Sequence, residues 1–361
     1  MKRYQRQIDL AEIGNVGQQK LADSKVLVIG AGGLGCSVLQ SLVAAGVGTI
    51  GVVDGDIVEE TNLNRQFLYN SATCGENKAI AAAEVLSRQN SDVKVIPFSS
   101  HFTDENAFEI VSDFQIIVDC TDNIQTRYLI NDVALVKGMP MVCASIHHFE
   151  GQLSVFNYQN GPTYRCLFPD REQLDQITCE EAGVLGVIPN LLGVMQANEV
   201  LKIILQIGEV LSGKLLLFDG LRSSMQKISI QKNAIEIQNG LVQGLAIRQQ
   251  TKRKDLKSID EYNLLLAIED SSNLIIDIRE DFEEPTANHP NIHRIPIDQL
   301  ENYLEKVNKD REIILLCHYG HKSQLAANYI IKNGFTNISH LHNGISGLSP
   351  SNLDTILHEH R

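Results

Sequence analysis

Short apolar runs alternate with segments of helical period over the first 150 residues of the chain. The apolar runs predict five strands, at 26–29, 49–54, 93–98, 115–119 and 139–144. Apolar residues with helical spacing predict a leader helix within 1–23 and helices at 34–45, 78–90 and 124–137. Because strand and helix alternate, we expect an α/β fold with a doubly wound, Rossmann-like parallel sheet.

The pattern changes after Gly151. Consecutive strands are predicted in "QLSVFNY", "KLLLFDG" and "QKISIQ", so the sheet should carry an antiparallel extension. An irregular stretch at 161–178 and a helix at 188–207 lie between the first two of these strands.

A polar, charged segment, "RQQTKRKDLKSID", interrupts the apolar periodicity and predicts a linker at 248–260. A first domain is therefore expected over 1–247 and a second over 261–361. The second contains "NLIIDIRE", "EIILLCHYGHKS", a helical segment at 324–333 and "NISHLHNGI". At about a hundred residues, this pattern predicts a small α/β domain of its own.

Charge and cysteine content narrow the function classes. The net charge of −13 disfavours a nucleic-acid-binding surface, which needs clustered lysine and arginine. The first residues lack the apolar core of a signal peptide, and no apolar run reaches the ~20 residues of a membrane helix. We therefore expect a cytoplasmic protein without membrane contact, with its seven cysteines reduced.

A glycine-rich turn follows the first strand. Gly30, Gly32 and Gly35 have the G-x-G-x-x-G spacing, which lets a phosphate approach the backbone at a helix N-terminus. Asp54, at the end of the next strand, suits a ribose hydroxyl. This motif alone fits NAD, FAD or ATP and, by itself, favours an NAD-dependent oxidoreductase.

Polar residues near the glycine turn favour phosphate chemistry instead. "TNLNRQ" supplies Asn62, Arg65 and Gln66, Lys78 opens the next predicted helix, and Asp122 follows the strand that ends at 119. Two cations for phosphates and a carboxylate for magnesium are typical of phosphoryl or nucleotidyl transfer. The alternative is that the cations are solvated surface charges and that Asp122 is a helix cap.

The motifs "RYQRQI", "GAGGLGCSVLQSL", "VVDGDIVEETNLNRQFLY", "GENKAIAA" and "DCTDNIQTRYLINDV" resemble the ubiquitin-activating-enzyme superfamily. Within it, residues 1–230 are similar to the MoeB/ThiF/HesA adenylyltransferases, which use ATP to attach AMP to the C-terminal glycine of a ubiquitin-like sulfur carrier ending in Gly-Gly. The resemblance implies a nucleotide site formed by Gly30, Gly32, Gly33, Gly35, Asp54, Asp56, Thr61, Asn62, Leu63, Asn64, Arg65, Gln66, Lys78, Asp122 and Asn123.

The same resemblance assigns further roles. Asp122 organises Mg²⁺, and Arg6 enters the site of a neighbouring subunit, which implies a homodimer. Cys179, in "ITCEEAGVLG", matches a cysteine on a loop over the carrier tail; it either forms a covalent link to the carrier or is an unused thiol. Many relatives bind structural zinc through two Cys-x-x-Cys pairs, but here only Cys166 remains, with Thr163 at the paired position. Since such a site needs four ligands, we expect no zinc.

The second half resembles a rhodanese, a sulfurtransferase domain, over about 264–348. The motifs are "LIIDIRE", with Asp277 and Arg279, the loop from Cys317 to Lys322, and "NISHLHNGI". A cysteine between a strand and a helix N-terminus, with amide donors and Lys322 in the same loop, favours a thiolate that can hold a persulfide. The alternative is a buried cysteine at a strand end. The other cysteines (Cys36, Cys74, Cys120, Cys143) are expected to be buried in the packing.

Together these observations predict an adenylyltransferase fused to a sulfurtransferase. The first domain would make the acyl-adenylate of a carrier from molybdopterin or thiamine synthesis, and Cys317 would bring sulfur from a donor such as a cysteine desulfurase. Two alternatives remain open. One is adenylation of another target, such as a peptide C-terminus or a tRNA base, and the other is an inactive scaffold that only binds a carrier.

Overall fold

The computed structural model describes residues 2–169, 183–253, 257–280, 283, 289–350 and 352–353. The chain forms two compact units, Met1–Gln249 and Gln250–Arg361. No helix in the described ranges combines the length and the apolar character that a membrane span requires.

One eight-stranded sheet organises the first unit. Its strands are β1 Lys25–Ile29, β2 Thr49–Val53, β3 Lys94–Phe98, β4 Ile116–Asp119, β5 Met141–His147, β6 Glu150–Phe156, β7 Lys214–Asp219 and β8 Ser224–Ser229. They lie in the order β3-β2-β1-β4-β5-β6-β7-β8; β1 to β5 are parallel, and β6, β7 and β8 extend the sheet in antiparallel pairing. The expected doubly wound sheet with an antiparallel extension is therefore confirmed.

The strand order places a crevice at the centre of this sheet. From β1 the chain passes outward to β2 and β3 and then returns to β4, on the other side of β1. The connections after β1 and β4 therefore diverge at the carboxyl ends of the strands, where open α/β sheets bind ligands.

Helices cover both faces of the sheet. They are Gln5–Ile8, Gly14–Asp23, Gly33–Ala45, Lys78–Gln89, Ala107–Ile110, Ile124–Lys137, Tyr164–Leu167, Val187–Leu205 and Ala234–Arg253, with short 3₁₀ turns at Lys2–Tyr4, Glu60–Asn62, Ser71–Thr73 and Val111–Asp113. Gly33–Ala45 and Val187–Leu205 pack closely, since a Cβ on Gly193 would lie 2.4 Å from the Leu34 carbonyl oxygen. This contact brings the start of Val187–Leu205 beside the glycine turn.

Two segments differ from the prediction, namely residues 1–23 and the start of the stretch 161–178. Residues 1–23 do not form one helix, because a turn separates Gln5–Ile8 from Gly14–Asp23. The turn lets the Gln7 side chain donate to Gln18 Oε1 at 2.8 Å and to the Ala45 carbonyl oxygen at 3.0 Å. The stretch expected to be irregular contains the short helix Tyr164–Leu167.

The segment 248–260 is not a simple linker. The helix Ala234–Arg253 extends into it, and the strand Lys257–Ile259 joins the second sheet. The sequence does not predict this helix, because Gly240 and Gly244 lower its helical propensity. Both glycines allow close packing, since a Cβ on Gly244 would lie 2.5 Å from the Asp132 carbonyl oxygen.

The second unit contains a five-stranded parallel sheet. Its strands are β9 Lys257–Ile259, β10 Leu274–Asp277, β11 Ile292–Arg294, β12 Ile313–Leu316 and β13 Ile338–Leu341, in the order β11-β10-β12-β13-β9. Helices lie at Glu261–Glu269, Leu300–Leu304 and His321–Lys332, with a 3₁₀ turn at Ile345–Gly347. The central strand β12 is fully buried and leads directly to Cys317.

Candidate functional site

The glycine turn closes tightly between β1 and the helix Gly33–Ala45. Gly30 has φ +93°, and a Cβ there would lie 2.7 Å from the Cys120 carbonyl oxygen. A Cβ on Gly35 would lie 2.0 Å from the Gly30 carbonyl oxygen, so this glycine lets the helix pack on the turn. The backbone thus directs the helix N-terminus, with its unpaired amides, toward the crevice.

A cavity of ≈ 680 Å³ opens in front of this turn. It lies where the carboxyl ends of β1, β2 and β4 meet. Most of the residues expected at a nucleotide site line it: Gly30, Gly32, Gly33, Asp54, Asp56, Asn62, Arg65, Gln66, Lys78, Asp122 and Asn123. The fold therefore gathers side chains that lie up to 93 residues apart, from Gly30 to Asn123.

Asp54 forms a fixed carboxylate on the cavity wall. Its Oδ2 accepts the Ala31 amide at 2.7 Å, and its Oδ1 accepts the Asp56 amide at 2.9 Å. Burial raises the pKa of Asp54, although both amides and the charge of Lys78 favour its ionised form. Each carboxylate oxygen keeps a lone pair with which to accept a ligand hydroxyl.

Lys78 and Arg65 bring positive charge to the cavity. Lys78 begins the helix Lys78–Gln89, and its Nζ lies 3.1 Å from Asp56 Oδ2; the lysine side chain is only 10% exposed, whereas that of Asp56 is 57% exposed. The Arg65 Nη1 donates to the Thr61 carbonyl oxygen at 2.9 Å and to Asn64 Oδ1 at 3.1 Å. Thr61 and Asn64 do not line the cavity but hold the arginine that does.

Two buried amide side chains have different roles. Asn62 accepts the Glu59 amide at 3.2 Å and closes a capping box, so it stabilises the local turn. Gln66 lines the cavity and is 4% exposed, and its Oε1 has no hydrogen-bond partner within the described part of the chain. Since a buried unpaired acceptor is costly, this atom favours a ligand that donates a hydrogen bond.

The segment after β4 presents one unpaired carboxylate. Asn123, and not Asp122, caps the helix Ile124–Lys137 by accepting the Thr126 amide at 3.0 Å. Asp119 is buried and accepts from Thr121 Oγ1 at 2.7 Å, with Arg127 Nε at 3.7 Å. The Asp122 carboxylate is exposed at the cavity, and no described residue forms a hydrogen bond or ion pair with it.

Sequence reasoning missed part of the lining. His101 lies on the cavity wall; its ring packs on Gly55, and its Nε2 is 3.9 Å from Asp56 Oδ1. Arg127 and Pro189 also line the cavity. A signal for His101 was present, because "SSHF" follows the carboxyl end of β3, a strand of the same parallel sheet.

The other expected residues of the first unit lie elsewhere. Gly35 supports the turn, and Leu63 packs against the core, so neither lines the cavity. Arg6 is exposed on the short helix Gln5–Ile8 and does not line the cavity of its own chain. Cys179 lies outside the described residues.

In the second unit, the sulfur atom of Cys317 is buried and accepts backbone hydrogen bonds. Cys317 is 1% exposed, and its Sγ accepts the Gly320 amide at 3.1 Å and the Ser323 amide at 3.2 Å. The Ser323 Oγ lies 3.3 Å from the same sulfur. The helix His321–Lys332 begins three residues before the expected start at 324, so its first turn contributes directly to this cradle.

Glycines close the loop around Cys317. Gly320 has φ +85°, and a Cβ there would lie 2.1 Å from the His342 carbonyl oxygen. Lys322, which the sequence places near the thiol, lies 3.2 Å from Glu283 Oε1 through its Nζ. The motif pair Asp277 and Arg279 forms a fully buried ion pair, with 2.7 Å between Arg279 Nη2 and Asp277 Oδ2.

The cysteines of the first unit differ in environment. Cys36, Cys120 and Cys143 are buried, and burial raises the pKa of all three thiols. Cys74 is exposed, so the expectation that it is buried was wrong: it lies in the turn after Ser71–Thr73, not in the apolar core. Cys166 accepts the Thr163 and Asn233 amides, each at 3.4 Å.

Within the described ranges, no group of three or more His, Cys, Asp or Glu side chains is placed so that it could hold a metal ion. The absence of zinc stays a prediction. Asp122 is the exposed carboxylate that follows β4 at the cavity, and one carboxylate ligand from the protein is compatible with Mg²⁺, which takes most of its remaining ligands from phosphates and water.

Comparison with known proteins identifies a family model for each of the two units. The ThiF family model matches residues 4–237, and the Rhodanese-like domain model matches residues 248–350. The adenylyltransferase and sulfurtransferase MOCS3 of Sus scrofa is 39% identical over 321 residues, covering 83% of this chain and 70% of the relative.

Two further similarities concern the first unit. The sulfur carrier protein adenylyltransferase of Thermus thermophilus is 45% identical over 239 residues, covering 64% of this chain and 88% of the relative. A crystal structure of E. coli MccB with ATP has a TM-score of 0.56 at 21% identity, covering 64% of this chain and 72% of that one, and it supports the fold. The chain belongs to the ThiF family and carries a rhodanese-like domain.

Proposed function

We propose that this chain uses ATP to adenylate the C-terminal glycine of a ubiquitin-like sulfur carrier protein and that Cys317 supplies sulfur for its conversion to a thiocarboxylate. The names of the relatives support an adenylyltransferase and a sulfurtransferase activity. The observation that carries the proposal is the cavity, where a helix N-terminus, the cations of Arg65 and Lys78 and several carboxylates meet. Hydride transfer would not need this set of charges.

The triphosphate fits the glycine turn and the two cations. Gly32 and Gly33 leave room for phosphate oxygens at the start of the helix, where amides and the helix dipole favour an anion. Arg65 and Lys78 neutralise the remaining charge. Lys78 is held by Asp56 at 3.1 Å, so its ammonium group is already directed and loses little side-chain entropy on binding.

The ribose and the metal fit the carboxylates. Asp54 accepts two backbone amides and can accept a ribose hydroxyl with its remaining lone pairs. Asp122 would hold Mg²⁺, which supplies charge neutralisation on the phosphates. The unpaired Gln66 Oε1 supports a ligand with hydrogen-bond donors, such as a hydroxyl or an amino group.

Adenylation gives the carboxylate of the carrier a better leaving group, AMP. A carboxylate is a poor acyl donor, because substitution would have to expel oxide. In the proposed reaction, a carboxylate oxygen of the carrier attacks the α-phosphorus, and pyrophosphate leaves with the bonding electrons. The cavity contributes by aligning the two groups and by stabilising the negative charge that develops on the phosphates.

Sulfur enters in a second reaction. A persulfide on Cys317 attacks the acyl carbon and expels AMP, which leaves the carrier joined to Cys317 through a disulfide. A second thiolate, for which Cys179 is the candidate, attacks the Cys317 sulfur of that disulfide and releases the carrier thiocarboxylate. An external thiol then reduces the resulting enzyme disulfide. A cysteine desulfurase is a suitable class of donor for the persulfide.

Arg6 is proposed to act in a homodimer. Its exposure on a short helix away from its own cavity supports a role in the site of a second subunit. Mixing an Arg6→Ala chain with a Lys78→Ala chain tests this idea, because a dimer with shared sites should regain one intact site. Recovery of exchange activity supports sharing, and its absence in a proven mixed dimer contradicts it.

The decisive experiment gives the pure protein ATP, Mg²⁺ and a candidate carrier of the molybdopterin-synthase or thiamine type, and follows the carrier by intact mass. We expect a gain of one AMP without a sulfur donor and replacement of one carboxylate oxygen by sulfur with a donor. A carrier lacking its last glycine is the matched control. Absence of both mass changes with either carrier, while the protein hydrolyses or binds ATP, would contradict the proposed target.

A further inference from the structure

A histidine is buried behind the sulfur site of the second unit. His340 lies on β13 opposite Leu315 of β12 and is 4% exposed. Ile338, its neighbour on the same face of the strand, belongs to the apolar core that also contains Cys317. Burial of an imidazole in such a place is costly unless the ring has a hydrogen-bond partner.

One side-chain partner of this ring is Ser323, which also contacts the sulfur. His340 Nδ1 lies 3.4 Å from Ser323 Oγ, and Ser323 Oγ lies 3.3 Å from Cys317 Sγ. Ser323 is fully buried. The three side chains therefore form a continuous chain of contacts from the sulfur to β13, shielded from water.

Two protons, one on the Ser323 hydroxyl and one on the His340 ring, decide the direction of these hydrogen bonds. The Ser323 hydroxyl lies 3.0 Å from the Gly320 carbonyl oxygen, which is one possible acceptor for its single proton. Burial lowers the pKa of His340 and His342 acts in the same direction, whereas hydrogen bonds of the ring to the Gly320 and Leu341 backbone act against them; the net shift leaves the ring neutral at pH 7, with one proton. With the ring proton on Nδ1, the ring donates to Ser323 Oγ, and the serine can donate its own hydroxyl proton either to the Gly320 carbonyl oxygen or to Cys317 Sγ.

We propose that His340 is a positioning residue for the reactive sulfur. Its Nδ1–H donates to Ser323 Oγ and fixes that oxygen, while the Ser323 hydroxyl proton is donated either to the Gly320 carbonyl oxygen or to Cys317 Sγ. With a neutral thiol, the serine donates to the Gly320 carbonyl oxygen and accepts the S–H. With an anionic sulfur, the serine donates to the sulfur instead. The inference rests on the proposed role of Cys317 as the sulfur carrier.

Sulfur loading places negative charge next to the Ser323 hydroxyl. The Cys317 thiolate attacks the outer sulfur of thiosulfate, a new S–S bond forms, and sulfite leaves with the electrons of the bond that breaks. Negative charge is present at Cys317 before the reaction and on the terminal sulfur afterwards. Hydrogen bonds to charged groups are stronger than those to neutral ones, so an oriented hydroxyl favours both anionic states.

The test compares His340→Leu, which removes the ring donor, with His340→Asn, whose side-chain amide can replace Nδ1–H. The rate at which iodoacetamide alkylates Cys317, read from the mass of its peptide over a range of pH, gives the thiol pKa in the full chain. Thiosulfate loading gives the rate of persulfide formation. We expect His340→Leu to raise the thiol pKa and to slow loading about two- to tenfold, and His340→Asn to restore most of both.

Ser323→Ala and the double variant Ser323→Ala/His340→Leu complete the design. If His340 acts through the serine, the double variant should be no worse than Ser323→Ala alone. Additive losses, or a His340→Leu protein that keeps the wild-type thiol pKa and loading rate, would overturn the proposal. A wild-type protein whose Cys317 takes up no sulfur would refute the proposed function instead, and the thiol titration would still decide the role of His340.

Discussion

The two reactive sites follow one local plan and differ in what they leave open. Each comes directly after a central parallel strand and passes through a glycine with positive φ, Gly30 at +93° and Gly320 at +85°. Each ends at a helix N-terminus, at Gly33 in the first unit and at His321 in the second. The shared plan directs backbone amides toward a negatively charged group.

The difference lies in the surrounding loops. In the first unit the connections diverge, leaving a cavity of ≈ 680 Å³ with an exposed carboxylate on Asp122 and, on Gln66, an acceptor without a partner among the described residues. In the second unit the loop closes on one atom, since Cys317 Sγ already contacts two amides and a hydroxyl. One site is therefore prepared for a large ligand and the other for a single anionic sulfur.

The largest expected effect is that of Cys317→Ala. Without the thiol no persulfide can form, so thiosulfate:cyanide sulfur transfer should fall to background. ATP–pyrophosphate exchange with the carrier should remain, because the described residues that line the cavity all belong to the first unit. Exchange and sulfur transfer are measured on the same preparation. Loss of exchange in a folded Cys317→Ala protein would contradict the separation of the two sites.

Asp122→Ala should give the converse result. The exposed carboxylate is the proposed magnesium holder, and removing such an electrostatic group typically costs about 10²–10³-fold in rate. Exchange should fall by that amount, while thiosulfate:cyanide transfer stays at the wild-type level. Asp92→Ala, which removes an exposed carboxylate away from the cavity, is the matched control. Equal losses in both variants would count against a specific role for Asp122.

Much of both sites could be predicted from the sequence because the key residues follow buried strands. Parallel strands covered on both faces are continuous apolar runs, so β1 and β12 are readily identified, and the residues after them must lie at the carboxyl edge of the sheet. This reasoning found Gly30, Asp54 and Cys317. It does not distinguish neighbours in a loop, which is why the capping role of Asn123 and the exposure of Asp122 emerged only from the structure.

Other features depend on contacts between distant segments. The helix Ala234–Arg253 was missed because its glycines make it a poor helix by local propensity, and packing against Asp132 compensates for them. The pairing of Lys322 with Glu283 spans 39 residues, and the contact between Ser323 and His340 crosses from a helix to a strand. A pattern of neighbouring residues in the sequence cannot predict contacts between residues that lie so far apart along the chain.

Gly30→Ala and Gly320→Ala should each damage one site. An alanine at positive φ costs about 1–2 kcal/mol, and here its Cβ would also meet backbone oxygens at 2.7 Å and 2.1 Å. Gly75→Ala is the matched control, since Gly75 has φ +89° but open space around it. We expect exchange alone to fall in Gly30→Ala and sulfur transfer alone to fall in Gly320→Ala, with a larger loss of unfolding free energy than in the control. Losses equal to that of Gly75→Ala would mean that the close approach has no effect of its own.

The smallest expected effect concerns two helix N-caps, one in the first unit and one in the second. Asn123 accepts the Thr126 amide at 3.0 Å beside the cavity, and Asp260 accepts the Asn263 amide at 2.9 Å in the second unit. Replacing either by alanine should cost about 1 kcal/mol of unfolding free energy, measured by denaturant titration of the full chain. Because Asn123 lies next to Asp122, its loss should also raise the KM for ATP modestly, whereas Asp260→Ala should leave both activities unchanged. An unchanged KM in Asn123→Ala would show that Asp122 keeps its position without the cap.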